Sequence, residues 1–398
     1  MRFVRYILLL IPLYTAVSCK ITGNSNQPEK TIELNNSDQD FLSLIKRISL
    51  LPLSVDNDWI YMDVPLMTVS DNQIFFLNRK TYHLISYNGQ GEKIFCKQIK
   101  GRGRGEVLNV GNIFSINDSV CIYDQSTGLV SIYNSSGNYS GNLNSKTIAA
   151  DVFYPLGKKN YVALSIFGSS ITNNHYATIY DKNFNEKEYF LKIPDHLFDL
   201  NFQFGNRYLS CQHGDSIRFM LNFDYRIFTV TPDSCSCSYF LKTDNPIPDG
   251  LLTDQSPENI LHFMADVSKN GYATGFQNLC ETSRYIMFNY SVNNKYHLVL
   301  LDKQLNKPYS IHLPETVSDD SGQISSSFIW KYILINSVPL CSFRDTIYMT
   351  IKKEVLLTLE TFRDYLDNGM KNLSDELDQY LSNNKTEEGD NLYFKLEF

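Results

Sequence analysis

The sequence predicts an all-β fold: a six-bladed β-propeller of four-stranded antiparallel blades closed into one ring. Two observations point there. Apolar strand-like runs separated by Asn/Gly/Asp turns recur along the chain in six loosely similar units. Repeats of this kind, with several strands in each, are the signature of propeller blades, which run about 40–50 residues. Finally, the chain ends in an apolar run, NLYFKLEF (391–398), beyond a polar break, where a ring needs a closing strand. One four-stranded blade has two apolar faces that it cannot bury alone. Neighbours must therefore stack on both sides, and closure removes the bare edge.

The chain opens with MRFVRYILLLIPLYTAVSC. Arg2 and Arg5 form a positive segment, an apolar run follows from Tyr6 to about Leu13, and small residues Ala16 and Ser18 precede Cys19. The run is too short for a bilayer span, which takes about 20 residues, so 1–18 read as a cleaved export signal. A cysteine directly after the cut resembles the bacterial lipoprotein signal, with Cys19 as the lipid-bearing residue; Ala16 stands where that pattern usually has leucine. Residues 19–40, polar and rich in Asn and Ser, then read as a flexible tether, and 41–398 as a single propeller domain.

The clearest repeats are DNQIFFLNRKTYHLISYNGQGEKIFCKQI (71–99) and NDSVCIYDQSTGLVSIYNSSGNYSGNLN (117–144). Weaker copies begin near Asn160, Asp215, Arg284 and Asp345. Two insertions read as helices. SPENILHFMADVSKNG (256–271) has Ser256 as N-cap, Pro257 at the first helical position and Asn270-Gly271 as a stop, with Ile260, Leu261, Met264 and Val267 on one face. A second stretch, 359–382, repeats apolar residues at steps of three and four from Leu359 to Leu381, with Gly369 weakening its middle. SLLPLSV (49–55) and DVPLMTV (63–69) are the N-terminal segments expected to join the last blade beside 391–398.

Charge narrows the partners. Removing 1–18 takes Arg2 and Arg5 from the 36 basic residues and leaves 34 against 43 acidic ones, a formal −9. Such a field repels nucleic acid over most of the surface, and no nucleic-acid partner is expected. Seven cysteines besides Cys19 sit mostly in apolar strand-like runs and read as small buried hydrophobes. Cys235 and Cys237 would face one side of a strand, but no CxxC or His-x-His partner accompanies them, so neither metal nor cofactor is expected.

The stretch CKQIKGRGRGEVLNV (96–110) is the most conspicuous motif. Gly101, Gly103 and Gly105 give G-x-G-x-G rather than the G-x-G-x-x-G of dinucleotide sites, and a strand follows instead of a helix. Two uses remain. The glycines permit a tight connection between blades. Alternatively, Arg102, Arg104 and Glu106 form a binding loop, since connections between blades end near the axis and an arginine fork suits carboxylate or sulfate. The catalytic residues stay unassigned. There is no G-x-S-x-G, H-E-x-x-H or EF-hand loop, and the seven histidines are scattered. The 26 Tyr and 25 Phe read as strand and inter-blade packing before sugar stacking.

ISLLPLSV, SYNGQGEKI, GRGRGE, SIYNSSG and NLYFKLEF together resemble the six-bladed β-propeller lipoproteins of Bacteroidetes, over about 41–398. Arg104 replaces the proline usual in that family's loop. The resemblance implies the fold and supplies no catalytic residues. The expected function is a non-enzymatic, lipid-anchored envelope module that binds a glycan or protein partner. The rival is an envelope hydrolase or lyase acting on glycans at the axial face, and a third possibility is a structural partner in a larger outer-membrane complex.

Overall fold

The computed structural model describes residues 27–34, 41–51, 53, 64–165, 175–193, 209–221, 223–253, 260–312, 326–355, 379 and 391–398. The export signal, Cys19, Ser256, Pro257 and all but one residue of the expected 359–382 helix lie outside them. Two N-terminal strands, β1 (Lys30–Glu33) and β2 (Arg47–Leu50), precede the first blade.

Blade one is β3 (Leu66–Val69), β4 (Gln73–Leu77), β5 (His83–Asn88) and β6 (Lys93–Gln98). Blade two is β7 (Val110–Ile116), β8 (Ser119–Asp124), β9 (Leu129–Tyr133) and β10 (Tyr139–Asn142). Blade three is β11 (Val152–Leu156), β12 (Asn160–Leu164), β13 (His175–Asp181) and β14 (Glu186–Lys192). Blade four is β15 (Ser210–His213), β16 (Ser216–Met220), β17 (Arg226–Thr231) and β18 (Ser234–Lys242). Blade five is β19 (Thr274–Glu281), β20 (Tyr285–Val292), β21 (Lys295–Asp302) and β22 (Lys307–His312). Blade six is β23 (Val338–Phe343), β24 (Thr346–Lys352) and β25 (Asn391–Glu397), with β2 as its outer strand.

Within each blade the strands pair in sequence and antiparallel, as hairpin turns dictate. The first strands face the axis: β23, β3, β7 and β11 lie against one another in turn, as do β15, β19 and β23, while β11 reaches β16 across the third seam. The six expected units are the six blades, each entered at its second strand.

The ring closes as expected at 391–398. Strand β25 lies between β24 and β2, with Arg47 opposite Glu397 and Leu50 opposite Phe394. Leu392, Phe394 and Leu396 are buried, and Tyr393 meets Phe76 of blade one with ring centroids 4.9 Å apart. Other seams are also aromatic: Phe114 meets Phe153 between blades two and three, Tyr225 meets Phe276 between four and five, and Tyr285 meets Phe398 between five and six. These rings belong to the packing.

Four expectations need correction. The segment 63–69 does not join the last blade; its Leu66–Val69 is the axial strand of blade one, bound to β4 by a tight turn. The tether is shorter than 19–40, because β1 adds to blade four as a fifth strand, parallel to β18, with Lys30 opposite Tyr239 and Glu33 opposite Lys242. Ile32 and Leu34 are buried there, and Ser236 Oγ donates to Glu29 Oε1 at 2.8 Å. Two apolar side chains at alternate positions and a covered sheet edge outweigh the polar composition of the segment.

The helices differ too. Helices α1 (Asp249–Thr253), α2 (Ile260–Asn270) and α3 (Ser326–Ile335) are present. In α2, Phe263 and Val267 make the buried face, whereas Leu261 and Met264 are exposed. The stop at Gly271 holds, with φ +64. Helix α3 was not expected; its Ile329, Ile333 and Leu334 enter the core shared by blades five and six.

Candidate functional site

The axial strands enclose a cavity of about 360 Å³. Every blade contributes: β3 gives Met67 and Val69, β7 gives Ile113, Phe114 and Ser115, β11 gives Tyr154, β15 gives Ser210 to His213, β19 gives Leu279, and β23 gives Leu340 to Phe343. A smaller space of about 60 Å³ shares Met67, Ile113, Tyr154, Ser210, Leu279 and Leu340 and adds Leu66, Asn112, Asn278 and Pro339. The two are consecutive parts of one axial channel. The larger cavity lies toward the C-terminal ends of the axial strands, where the turns to the second strands form the rim. Gly214 and Arg344 line it from two of those turns.

The walls are held by bonds between blades. Asn112 Nδ2 donates to Phe153 O at 2.9 Å, and Phe153 N donates to Asn112 Oδ1 at 2.9 Å. Ser115 Oγ donates to Val69 O at 3.1 Å, and Gln212 Nε2 donates to Pro155 O at 3.2 Å. Tyr154 is buried with its hydroxyl 3.1 Å from Ser210 Oγ, and burial pushes its pKa up. The rim is laced likewise. Asp118 accepts from Asn72 Nδ2 at 3.2 Å and Ser70 Oγ at 3.4 Å, Ser283 Oγ donates to Asp345, and Arg344 Nη2 meets Asp71 Oδ1 at 2.6 Å.

Behind the wall of blades four and five lies an ionic cluster. Glu281, buried at the end of β19, receives Arg218 Nε on Oε2 at 2.6 Å and Lys303 Nζ on Oε1 at 2.6 Å. Arg218 also donates to Thr229 Oγ1 at 2.6 Å. Both cations bond to the one carboxylate inside the seam, and the cluster keeps a net charge of +1. His213 stands between this cluster and the cavity. Burial lowers its pKa, opposed by Glu281 and assisted by Lys303 and Arg218, so the imidazole is neutral at pH 7. Burial raises the pKa of Cys211 and of Cys341, which both line the cavity, so both are thiols at neutral pH rather than nucleophilic thiolates.

The conspicuous loop lies elsewhere. Gly101, Gly103 and Gly105 follow β6, the outer strand of blade one, and the loop packs on blade two. A Cβ on Gly105 would stand 2.7 Å from the ring of Tyr139 on β10, the outer strand. The Tyr133 hydroxyl donates to Gly105 O, and the Arg104 guanidinium lies 5.6 Å from the Tyr139 ring centroid. Glu106 Oε2 accepts from Gly103 N at 2.6 Å, which employs the carboxylate in the turn. Arg102, Arg104 and Glu106 are exposed, and none lines the axial cavity. Cys235 and Cys237 are buried in blade four, and burial pushes their thiols up to about 12 and about 11. Among the described residues, no group of three or more His, Cys, Asp or Glu is placed to hold a metal ion.

The cavity residues were missed in the sequence because each blade contributes only one to five, from separated segments such as SCQH. The signal that could have found them is the tight turn before each second strand, which fixes the end of the axial strand.

Comparison with known proteins decides the family. A family profile described as 6-bladed beta-propeller matches residues 20–337. The chain belongs to that family. Among solved structures, this propeller is similar to a putative exported protein from Bacteroides fragilis, with 17% identity, a TM-score of 0.68, and coverage of 92% of this chain and 98% of that one. A member of the DUF4221 family from Bacteroides vulgatus matches at 9% identity and TM-score 0.47, covering 88% of this chain and 96% of that one. A catalytically inactive virginiamycin B lyase from Staphylococcus aureus with quinupristin matches at 11% identity and TM-score 0.39, covering 88% and 99%. Comparison with curated proteins gives no match.

Proposed function

We propose that this propeller is an exported lipoprotein of the cell envelope that binds a small ligand, or the end of a larger glycan or protein, in its axial cavity. The observation that carries the binding claim is the cavity itself. Its walls combine Met67, Ile113, Phe114, Leu279, Leu340 and Phe343 with Ser115, Gln212, Ser342 and His213, and its volume is about 360 Å³. An apolar concavity with a few convergent polar groups is the usual form of a small-molecule site. Residues 1–19 support export and anchoring, and the likeness to an exported protein agrees with them. With β1 docked on blade four, residues 20–29 separate Cys19 from the ring, and ten residues reach at most about 35 Å. Lipid on Cys19 would therefore hold the outer edge of blade four near a membrane.

Intact mass of protein purified from membranes tests the anchor: diacyl or triacyl lipid on Cys19 is expected, and a bare Cys19 or another N-terminus refutes it. For the cavity, Gln212→Trp should abolish ligand binding while the chain still melts cooperatively. The enzyme reading keeps one supporting observation, the neutral His213 on the cavity wall, which is the protonation state of a general base. It predicts that His213→Ala loses product formation from glycans while retaining binding.

A further inference from the structure

We propose that Arg344 anchors the carboxylate of a small acidic ligand whose body enters the axial cavity. This rests on the cavity as the binding site and names the chemistry it selects.

Three blades join their first and second strands through equivalent two-residue turns whose second residue is aspartate. Their first residues are Asn117 (φ 52), Gly214 (φ 57) and Arg344 (φ 54). Gly and Asn tolerate this left-handed conformation, whereas a long side chain carries it at a cost. Arg344 is thus a strained residue on the rim, and it lines the cavity.

Its ion pair does not account for it. Arg344 and Asp71 are 74% and 66% exposed, and so open a pair contributes little to stability. Only Nη2 is engaged by Asp71, and among the described residues the other guanidinium N–H groups have no protein partner. The guanidinium carbon lies 5.2 Å from the centroid of the Phe343 ring, which itself lines the cavity. Arg218 and Lys303 are bonded to Glu281 in the seam and do not line the cavity. What remains on the cavity wall is one charged fork, braced on an aromatic ring, beside the rim carboxylates Asp71, Asp118 and Asp345, which Arg344, Asn72 and Ser283 engage. A planar carboxylate fits that fork through two parallel N–H···O bonds, while the walls receive a ring or apolar body.

The test is calorimetry on the full chain in detergent with two acid–neutral pairs. N-acetylphenylalanine against its amide represents a peptide C-terminus, and methyl β-glucuronide against methyl β-glucoside represents an acidic sugar. At least one acid should bind tenfold or more tightly than its neutral partner, and which one does so identifies the source. Arg344→Asn should cut that affinity at least tenfold with an unchanged or raised Tm, and Arg344→Lys should retain part of it. Neutral probes that bind as well as the acids, or acid binding that survives Arg344→Asn but not Gln212→Trp, overturn the carboxylate anchor and leave the cavity site standing. An Arg344→Asn variant whose melting falls by several degrees would make the residue a clasp and refute the proposal. No binding by any of the four overturns both.

Discussion

Two turns of this ring carry prominent arginines, and they do opposite work. The loop 101–106 holds Arg102 and Arg104 among three glycines at the periphery, where Tyr133 and Tyr139 fix its backbone. The turn at 343–346 holds one arginine with no glycine at all, on the rim of the axial cavity. In the first, small residues relieve strain and the arginines are incidental to the packing. In the second, a residue that ordinarily avoids the conformation is kept where a ligand can meet it. Left-handed backbone alone does not mark a use, since Tyr82, Phe184 and Phe223 adopt it away from the cavity; at Arg344 it coincides with the cavity rim.

The largest effect tests the ring on which both turns depend. Deleting 391–398 removes the strand between β24 and β2 together with buried Leu392, Tyr393, Phe394, Leu396 and Phe398. Each such side chain contributes about 1.5–3 kcal/mol, against a usual total of about 5–15 kcal/mol. The truncated chain should show no cooperative melt by circular dichroism. A two-state transition near that of the full chain would break the account of closure.

Next comes the contrast among the glycines of the peripheral loop. Gly105 has φ +81 and no room beside Tyr139, so Gly105→Ala should cost on the order of 1–3 kcal/mol in urea melts. Gly103 lacks a positive φ, and its added Cβ would meet only the Glu106 carboxylate, 2.9 Å away on a flexible side chain. Gly103→Ala should cost less, under about 1 kcal/mol. Equal costs at the two positions would contradict the turn geometry.

Smaller effects come from the arginines. Arg102→Ala and Arg104→Ala should each change stability by no more than about 0.5 kcal/mol, measured in the same melts. A larger loss would give the loop's charges a structural role that the geometry does not.

The smallest effect is in pH. His213 is neutral at pH 7 because burial lowers its pKa from 6.5. Lowering the pH through and below that ordinary value eventually protonates it and adds positive charge beside the cavity. Affinity for a carboxylate probe should therefore be flat from pH 8 to 7 and rise only on further acidification, and His213→Gln should remove the rise. A change between pH 8 and 7 would assign the cavity another titrating group.

The fold was legible because closure and repetition are written in long apolar runs: IFFL, VCIY and NLYFKLEF each declare a strand on their own. The site was not. Its residues come in small groups from six separated strands, and only the ring brings Phe114, Gln212 and Phe343 to one space. Arg344 in SFRDT has no local mark, since its backbone strain appears only when the turn is built. Strand β1 escaped because KTIE buries a single face against an edge that the sequence does not announce.

The most direct test of the central claim sets the two regions side by side in one titration. The acid probe that binds the full chain is titrated into Gln212→Trp and into the Arg102→Ala/Arg104→Ala double variant, each checked for an intact melt. The account predicts wild-type affinity in the double variant and at least a tenfold loss in Gln212→Trp. Loss of binding in the double variant, with Gln212→Trp unchanged, would move the site to the peripheral loop and contradict it.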